Sequence, residues 1–163
     1  MRRVQRSAKR RDGVAGARRG LTLVELAITV LVIGILTASA APKFAEALRR
    51  IRIDAACRRI KADLTLARQT AMSKSATQSV QFTANSGTYS LPGMAALDRP
   101  AAAYSVDLSV APYQVRVSSA LLGADSQVIF DRFGQPDSGG VITVASGSAA
   151  GTVTVDGNTG LAS

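Results

Sequence analysis

The feature that most constrains this chain is a long apolar run at residues 21–41, LTLVELAITVLVIGILTASAA, which ends before Pro42. A helix of this length spans roughly 30 Å, which is the thickness of the hydrocarbon core of a bilayer. Glu25 is the only charged residue in the run. A carboxylate inside a spanning helix is costly and usually has a function. The run therefore predicts a membrane helix that makes specific use of one acid.

The positive charge of the chain is concentrated in front of this run. The formal net charge is +9, but residues 1–20 contain eight Lys or Arg and one acid. Residues 21–163 contain twelve basic and ten acidic residues, so whole-chain charge is a weak argument for nucleic-acid binding. Seven Lys or Arg also follow the run within 20 residues. Charge counting alone therefore does not fix the orientation of the run in a membrane.

The composition argues against catalysis and against a metal site. The chain has no His, the commonest general base and metal ligand in proteins. It has one cysteine, Cys57, which excludes an intramolecular disulfide and a CxxC metal site. We therefore expect a protein that is not an enzyme, with no catalytic residue, no metal and no cofactor. Cys57 is expected to be an ordinary small buried residue.

Taken as residues alone, the run has two conventional interpretations. It could be a simple membrane anchor whose Glu25 lies near the headgroups. It could also be a secretory signal, because a basic segment and an apolar centre precede Ala38-Ser39-Ala40, which has the A-x-A cleavage pattern. Cleavage after Ala40 would release a soluble, secreted β-domain.

A third interpretation comes from Gly20-Leu21-Thr22-Leu23-Val24-Glu25. This stretch resembles the processing site of type IV prepilins and type II secretion pseudopilins, in which a basic leader ends in Gly and Glu stands fifth after the cut. The resemblance implies that a prepilin peptidase cuts between Gly20 and Leu21 and methylates the new amino terminus at Leu21. Leu21 departs from the commoner Phe or Met. Pro42 falls where a proline bends the pilin helix.

The same resemblance implies a role for Glu25 and Thr22 in assembly. In a filament the apolar helices pack together, and an unpaired carboxylate among them costs several kcal/mol. The free amine of a neighbouring subunit would compensate Glu25, which would therefore set the register between subunits.

After Pro42 the pattern predicts an amphipathic stem helix. Apolar residues recur at spacings of mostly three and four, and charged residues, including Asp63, are assigned to the other faces. We expect this apolar stripe to dock on a globular domain; its members are Phe44, Leu48, Ile51, Ala55, Ile60, Leu64, Ala67 and Ala71. The basic excess of the stem keeps DNA binding as an alternative, although no aromatic residues are interleaved for base stacking.

Beyond the stem, short β-type runs alternate with turn residues. Strands are predicted at 78–83, 88–91, 114–118, 127–130, 141–145 and 152–156, with a hairpin turn at Asn85-Ser86-Gly87. Residues 92–112 are rich in Ala and Pro and are predicted to form a long loop. Four acids could bind calcium by type, but they lack regular ligand spacing and are interpreted as turn residues; they are Asp125, Asp131, Asp137 and Asp156.

The end of the chain resembles the minor pseudopilins of the GspH/FimT type. A Phe-x-x-x-Gly stretch, Phe130 to Gly134, is followed by two strands and by Thr159-Gly160. Residues 92–126 have no counterpart in this resemblance. The implied fold is α+β and pilin-like: a long N-terminal transmembrane-plus-stem helix packed on a small antiparallel β-domain.

These patterns divide the chain into a leader (1–20), a transmembrane assembly helix (21–41), an amphipathic stem (42–76) and a periplasmic β-rich domain (77–163). The resemblance implies a minor pseudopilin of a type II secretion system, anchored once in the bacterial inner membrane. Its expected partners are the prepilin peptidase and other major and minor pseudopilins. The alternatives are a FimT-like minor pilin in pilus biogenesis or DNA uptake and the soluble domain released after Ala40.

Overall fold

The computed structural model describes residues 20–96 and 100–163. The predicted leader lies outside the described residues except for Gly20. The chain divides into two compact units, Met1–Ala40 and Ala41–Ser163. A single α-helix, α1 (Leu23–Lys74), runs through both units and contains Pro42. It includes the predicted membrane segment and the predicted stem, and the kink at Pro42 stays a prediction.

The end of α1 is capped within the backbone. Ser75 has a positive φ of 51°, and its N–H donates to the carbonyl of Met72. The N–H of Ala76 donates to the carbonyl of Ala71. This pair of bonds is the Schellman arrangement, in which one left-handed residue turns the chain out of the helix. The predicted stem, from Phe44 to about Ser75, therefore ends where the pattern indicated.

In the part of the chain that the structure describes, seven strands follow α1 and form two antiparallel sheets. Their bounds are β1 (Gln78–Phe82), β2 (Thr88–Ala95), β3 (Ala103–Asp107), β4 (Arg116–Leu122), β5 (Gln127–Phe130), β6 (Gly140–Ser146) and β7 (Ala149–Val155). The first sheet has the order β3-β2-β1-β5 and the second has the order β4-β6-β7. The predicted α+β class, with a long helix packed on a small antiparallel β-domain, is confirmed.

The prediction of a long loop at residues 92–112 was wrong. Strand β2 continues to Ala95, and β3 pairs with it through Leu91 and Tyr104. The pairing shifts between Leu91 and Ala95, where Gly93 has a φ of +78°. A bulge of this kind lets Pro92 and Gly93 lie inside a strand, although both residues usually mark turns.

The predicted strand at 114–118 is also displaced, because the observed strand β4 runs from Arg116 to Leu122. Its pairing with β6 shifts between Val117 and Ser119, so the alternation of buried residues changes phase inside the strand. Sequence alternation assumes an unbroken period of two and ends too early at such a shift. The hairpin at Asn85-Ser86-Gly87 is confirmed, since β1 and β2 pair on either side of it.

The stem contacts the sheets through the second half of the predicted stripe, since Ile60, Leu64, Ala67 and Ala71 are buried as predicted, but not through the first half. Its buried apolar residues are Ile53, Ala56, Ile60, Leu64, Ala67 and Ala71, which share one hydrophobic core with the inner faces of both sheets. Phe44, Leu48, Ile51 and Ala55 were assigned to the docking stripe and are exposed instead. The two sets follow each other along the sequence at similar spacings, but they lie on different faces of α1.

Close approach of the stem to the second sheet depends on small residues. A Cβ added to Gly151 in β7 would lie 2.5 Å from Ile53 Cγ2 and 3.2 Å from Cys57 Sγ. Cys57 is half-buried against the core, and burial raises the pKa of its thiol. The helix therefore rests on the sheet at a position where no side chain larger than hydrogen fits without rearrangement.

Candidate functional site

The start of α1 is organised by Thr22 and Glu25. The N–H of Glu25 donates to Thr22 Oγ1 at 3.2 Å, and the N–H of Leu26 donates to the Thr22 carbonyl. Thr22 is thus the N-cap of the helix, and Glu25 stands three residues later, as in a capping box. A carboxylate in the first turn is also favoured by the helix dipole. Both residues that the sequence assigned to assembly therefore also have a local role in starting the helix.

The helix that follows is apolar and exposed. Residues 20–40 are all exposed, and the side chain of Leu23 is 83% exposed. The helix is long and apolar enough to cross a membrane, a property that a signal sequence near the N-terminus would share. Such a surface requires a lipid or protein environment, because soluble proteins rarely expose apolar patches of this size.

The polar side chains inside this apolar segment are satisfied by the helix itself. Thr29 Oγ1 donates to the carbonyl of Leu26, and Thr37 Oγ1 donates to the carbonyl of Ile33. Ser39 Oγ donates to the carbonyl of Leu36. A hydroxyl bonded in this way leaves no unpaired donor in a medium without water. Glu25 is different, because its carboxylate has no side-chain partner among the described residues.

Gly20 and Leu21 directly precede the helix. Both residues are exposed, and a Cβ added to Gly20 would meet no atom within 4 Å. The φ angle of Gly20 is also not in the left-handed region that favours glycine. The fold of the described chain therefore gives no steric or conformational reason for glycine at this position.

A second polar group lies where the stem contacts the first sheet. Asp63 is 4% exposed, and its two carboxylate oxygens accept hydrogen bonds from both neighbouring strands. The Tyr89 hydroxyl of β2 donates to Oδ2 at 2.5 Å, and the Tyr104 hydroxyl of β3 donates to Oδ1 at 2.7 Å. Arg59, one turn earlier, donates from Nε to Oδ2 at 3.1 Å and from Nη2 to the Tyr104 hydroxyl at 2.8 Å. We call these four residues the Asp63 cluster.

The Asp63 cluster holds both tyrosines in the neutral state. Burial, and then the hydrogen bond to Asp63, raise the pKa of Tyr104 to about 12. Burial, and then the negative charge of Asp63, also raise the pKa of Tyr89. Because both carboxylate oxygens of Asp63 accept hydrogen bonds and Arg59 supplies a positive charge, the buried carboxylate is compensated inside the chain. The arrangement fixes the stem on the first sheet.

This cluster was not predicted from the sequence, because Asp63 was assigned to the charged faces of the stem. The signal was available in the spacing. Asp63 lies three residues after Ile60 and four before Ala67, so it belongs to the buried stripe. An acid within an apolar helical stripe predicts buried hydrogen-bond donors opposite it.

The residues of the tail motif come together in space. Phe130 is fully buried, and a Cβ added to Gly160 would lie 2.8 Å from the Gly134 carbonyl oxygen and 3.1 Å from Phe130 Cε1. Gly134 and Gly160 have φ values of +79° and +67°. Arg68 of the stem donates from Nε to the Gly134 carbonyl at 3.0 Å. The Phe-x-x-x-Gly and Thr-Gly elements thus form one junction between the chain end and the stem.

Of the four acids considered for calcium, Asp125, Asp131 and Asp156 cap local turns, and Asp137 bonds back to strand β5. Asp131 Oδ1 accepts from the N–H groups of Phe133 and Gln135, and Asp156 Oδ1 accepts from those of Asn158 and Thr159. Asp125 and Asp137 likewise accept from backbone N–H groups. Within residues 20–96 and 100–163, no three His, Cys, Asp or Glu side chains form a group that could hold a metal.

Comparison with known proteins gives one family. A family model described as type II transport protein GspH matches residues 56–160, including the stretch 92–126 that the sequence motifs left without a counterpart. A comparison with curated proteins gives no match. Among solved structures, the chain is similar to the crystal structure of the Pseudomonas aeruginosa (strain PAO1) type IV minor pilin FimU. The TM-score is 0.48 at 17% identity, covering 70% of this chain and 88% of that chain.

Proposed function

Since this chain belongs to the GspH family of type II transport proteins, we propose that it is a minor pseudopilin, a structural subunit of a type II secretion pseudopilus. In this role it is not an enzyme. It is anchored in the inner membrane by residues 21–41, with the β-domain in the periplasm, and it assembles with other pseudopilins into a filament that supports export across the outer membrane.

The observation that carries this proposal is the contrast between an apolar, exposed helix and the single acid near its start. The helix is long enough to span a bilayer, and its hydroxyls are bonded internally. Only Glu25 requires a partner from outside the described chain. A helix that first lies in lipid and later packs among equivalent helices accounts for both features, because only the second environment supplies a cation to a buried acid.

We further propose that the prepilin peptidase cuts between Gly20 and Leu21 and that Leu21 is then methylated. The support is that the fold gives no reason for a glycine at position 20, while both residues of the proposed bond are exposed. After the cut, Leu21 carries the amino group that pairs with Glu25 of a neighbouring subunit. Thr22 then caps a helix that begins two residues from the new terminus.

Intact mass measurement of the membrane-extracted protein tests this processing. The proposal expects a mature chain that begins at Leu21 and carries one additional methyl group. A mature chain that begins at Ala41 would show cleavage as a secretory signal and would overturn the proposal. A Gly20→Ala variant should accumulate as the uncut precursor in the membrane, whereas Gly34→Ala, which also meets no atom within 4 Å, should be processed normally.

Deletion of the gene tests the secretion role. We expect the exported proteins of the type II system to remain in the periplasm, while surface pili and DNA uptake are unchanged. Loss of pili with normal secretion would instead assign the chain to a type IV pilus as a minor pilin.

A further inference from the structure

One edge of the first sheet is left open by the described chain. The two sheets have four edge strands, which are β3 and β5 in the first sheet and β4 and β7 in the second. Three of them form hydrogen bonds with other segments on their free sides, through the pairs Ile129–Asp137 for β5, Ser86–Val117 for β4 and Thr154–Ser163 for β7. No described residue bonds to the backbone of β3 on its free side. Proteins usually cover or block such an edge, so the exception at β3 requires an explanation.

The open edge presents the backbone groups of alternate residues. The N–H of Leu108, just after β3, donates to the carbonyl of Gly87, just before β2, at 2.6 Å. In an antiparallel pair, residues that bond across the ladder alternate with residues whose backbone groups point away. Val106 therefore bonds toward β2, and the N–H and C=O groups of Ser105 and Asp107 point to the free side. The edge offers donors and acceptors at the spacing that another strand requires.

A cavity of about 410 Å³ lies along this edge. It is lined by four consecutive residues of β3, from Tyr104 to Asp107, by Arg59 of the stem and by Tyr113. Successive side chains of a strand point to opposite faces of the sheet, so a cavity that touches four of them in a row lies beside the strand and not over one face. A strand added to β3 would direct alternate side chains into this cavity.

Arg59 has unused hydrogen-bond donors at the cavity. Its Nε donates to Asp63 and its Nη2 donates to Tyr104, whereas a guanidinium carries five N–H groups. The remaining N–H groups have no acceptor among the described residues, and the side chain is 39% exposed. Because Asp63 already compensates the charge of Arg59, an acceptor from another molecule needs an oxygen atom but no charge of its own.

We propose that the open edge of β3 binds an extended segment of a partner protein as an added antiparallel strand. The segment carries Asn or Gln at the position that faces the cavity, where the amide oxygen accepts a hydrogen bond from Arg59. Strand addition gains affinity from backbone hydrogen bonds and specificity from pockets for alternate side chains, and β3 offers both. The inference concerns the second unit alone and goes beyond the proposed function, because it assigns a peptide-binding site to the β-domain.

Other occupants fit the edge less well. Antiparallel pairing of two β3 strands would require Tyr104 of the copy to fill the cavity, but Tyr104 is 4% exposed and its hydroxyl donates to Asp63 of its own chain. A second copy would therefore leave Arg59 without an acceptor. Nucleic acid requires several cations, whereas among the described residues Arg59 is the only Lys or Arg at the cavity and Asp107 also lines it.

A fluorescently labelled heptapeptide, Thr-Val-Thr-Gln-Thr-Val-Thr, tests the site on the full chain in detergent. Its alternation places Val, Gln and Val on the cavity side of the added strand and Thr on the other side. Fluorescence polarisation should show saturable binding. Replacing Gln by Leu in the peptide should weaken binding about tenfold, because the hydrogen bond from Arg59 is lost.

N-methylation of the peptide tests the strand pairing directly. In the proposed register, the N–H groups of the two Thr residues beside Gln point to β3, whereas those of the two Val residues point away. Methylation of these two Thr nitrogens should lower the affinity about a hundredfold, since two backbone hydrogen bonds are lost. Methylation of the two Val nitrogens should leave the affinity unchanged. Both peptides carry the same number of methyl groups, so they differ only in the edge that is blocked.

Ser105 provides a matched pair of protein variants. Ser105→Pro removes an N–H on the free side, and an edge strand accepts proline where that group faces solvent. This variant should bind the peptide at least about tenfold more weakly at an unchanged melting temperature. Ser105→Ala keeps the N–H and should bind like the wild type. If Ser105→Pro fails to fold, the N-methylated peptides test the edge on the wild-type chain alone.

The inference is overturned if the unmodified peptide shows no saturable binding at about 1 mM. Equal affinity of the two N-methylated peptides would exclude an added strand, and equal affinity of the Gln and Leu peptides would exclude the contact with Arg59. A wild-type dimer that Ser105→Pro dissociates, without peptide binding, would assign the edge to a second copy. None of these results changes the start of the mature chain or the secretion phenotype, so the proposed function is tested separately.

Discussion

Two acids on one helix show how differently the two units of the chain are completed. Asp63 is buried, and Tyr89, Tyr104 and Arg59 satisfy it within the chain. Glu25 lies in the segment 20–40, whose residues are all exposed, and none of the described side chains pairs with it. The second unit therefore carries its own counter-charge and hydrogen-bond donors for Asp63, whereas no described residue supplies either to Glu25.

This difference separates stability from assembly. A substitution in the Asp63 cluster acts on the free energy of unfolding of the second unit, because the lost contacts are internal. Under the proposed function, a substitution at Glu25 acts on association, because its carboxylate would pair with the amine of a neighbouring subunit. If substitutions at both acids instead changed the same quantity, either the free energy of unfolding or filament association, this distinction between Asp63 and Glu25 would be wrong.

The largest effect is expected for Glu25→Ala. Removing the carboxylate leaves a neighbour's amine unpaired among packed helices, and an uncompensated buried charge costs about 3–5 kcal/mol. Incorporation into filaments should fall by a factor of about one hundred or more, while processing and the melting temperature of the second unit stay unchanged. The fraction of the protein in sheared filaments measures the effect.

The control for Glu25→Ala is Glu46→Ala. Glu46 is an exposed acid on the same helix that pairs only with Arg50, so its loss should leave incorporation at the wild-type level. Normal incorporation of Glu25→Ala would contradict a pairing between subunits and would return Glu25 to the role of a helix-start residue.

The next effect is on stability and comes from Asp63→Ala. The substitution leaves Arg59 and two buried tyrosine hydroxyls without their shared acceptor and should reduce the free energy of unfolding by about 3 kcal/mol. Asp54→Ala, an exposed acid on the same stem, should change it by less than about 0.5 kcal/mol. Urea titration of the two variants in one detergent measures both values. Equal effects would show that Asp63 is not compensated by the cluster.

Features that depend on local patterns could be predicted from the sequence, whereas features that depend on pairing between strands could not. The apolar run and the helix end depend on local patterns, and α1 covers residues 23–74. Strand β5 was predicted with its observed bounds because it is a short run of β-type residues flanked by turn residues. Strands β2 and β4 were misjudged because bulges break the period, and β3 was missed because Ala and Pro around it suggested a loop.

The Asp63 cluster could be predicted only in part. The position of Asp63 within the buried stripe is a local signal, but its donors come from strands 26 and 41 residues away along the chain. The same limit applies to the stem stripe. Phe44 and Ile51 continue the apolar pattern, and only the path of the sheets decides that Ile53 and Ala56 are covered instead.

A smaller loss of stability is expected from Gly160→Ala, which tests whether the chain end completes the second unit. Its φ of +67° disfavours any side chain, and a Cβ would lie 2.8 Å from the Gly134 carbonyl oxygen. We expect a loss of about 2 kcal/mol. Gly93→Ala isolates the conformational part, because Gly93 also has a positive φ but meets no atom within 4 Å, and it should lose about 1 kcal/mol. Equal losses of unfolding free energy in Gly160→Ala and Gly93→Ala would show that the close contact between Gly160 and the Gly134 carbonyl adds no packing constraint.

The smallest effect is expected from Tyr104→Phe, which removes one of the donors to Asp63 and should cost about 1.5 kcal/mol near neutral pH. Because the folded state raises the pKa of Tyr104 to about 12, the neutral hydroxyl stabilises the fold fully below its ordinary pKa near 10. That stabilisation is lost as the pH rises through about 12. The difference in unfolding free energy between wild type and Tyr104→Phe should therefore be constant up to pH 10 and shrink above it.

Tyr113→Phe, whose hydroxyl forms no hydrogen bond within the described residues, should follow the wild type at every pH. A difference that persists unchanged above pH 12 would mean that Asp63 does not depend on the neutral hydroxyl of Tyr104. The buried carboxylate of Asp63 would then be compensated by groups other than the Tyr104 hydroxyl, and Asp63 and Glu25 would differ only in how deeply they are buried.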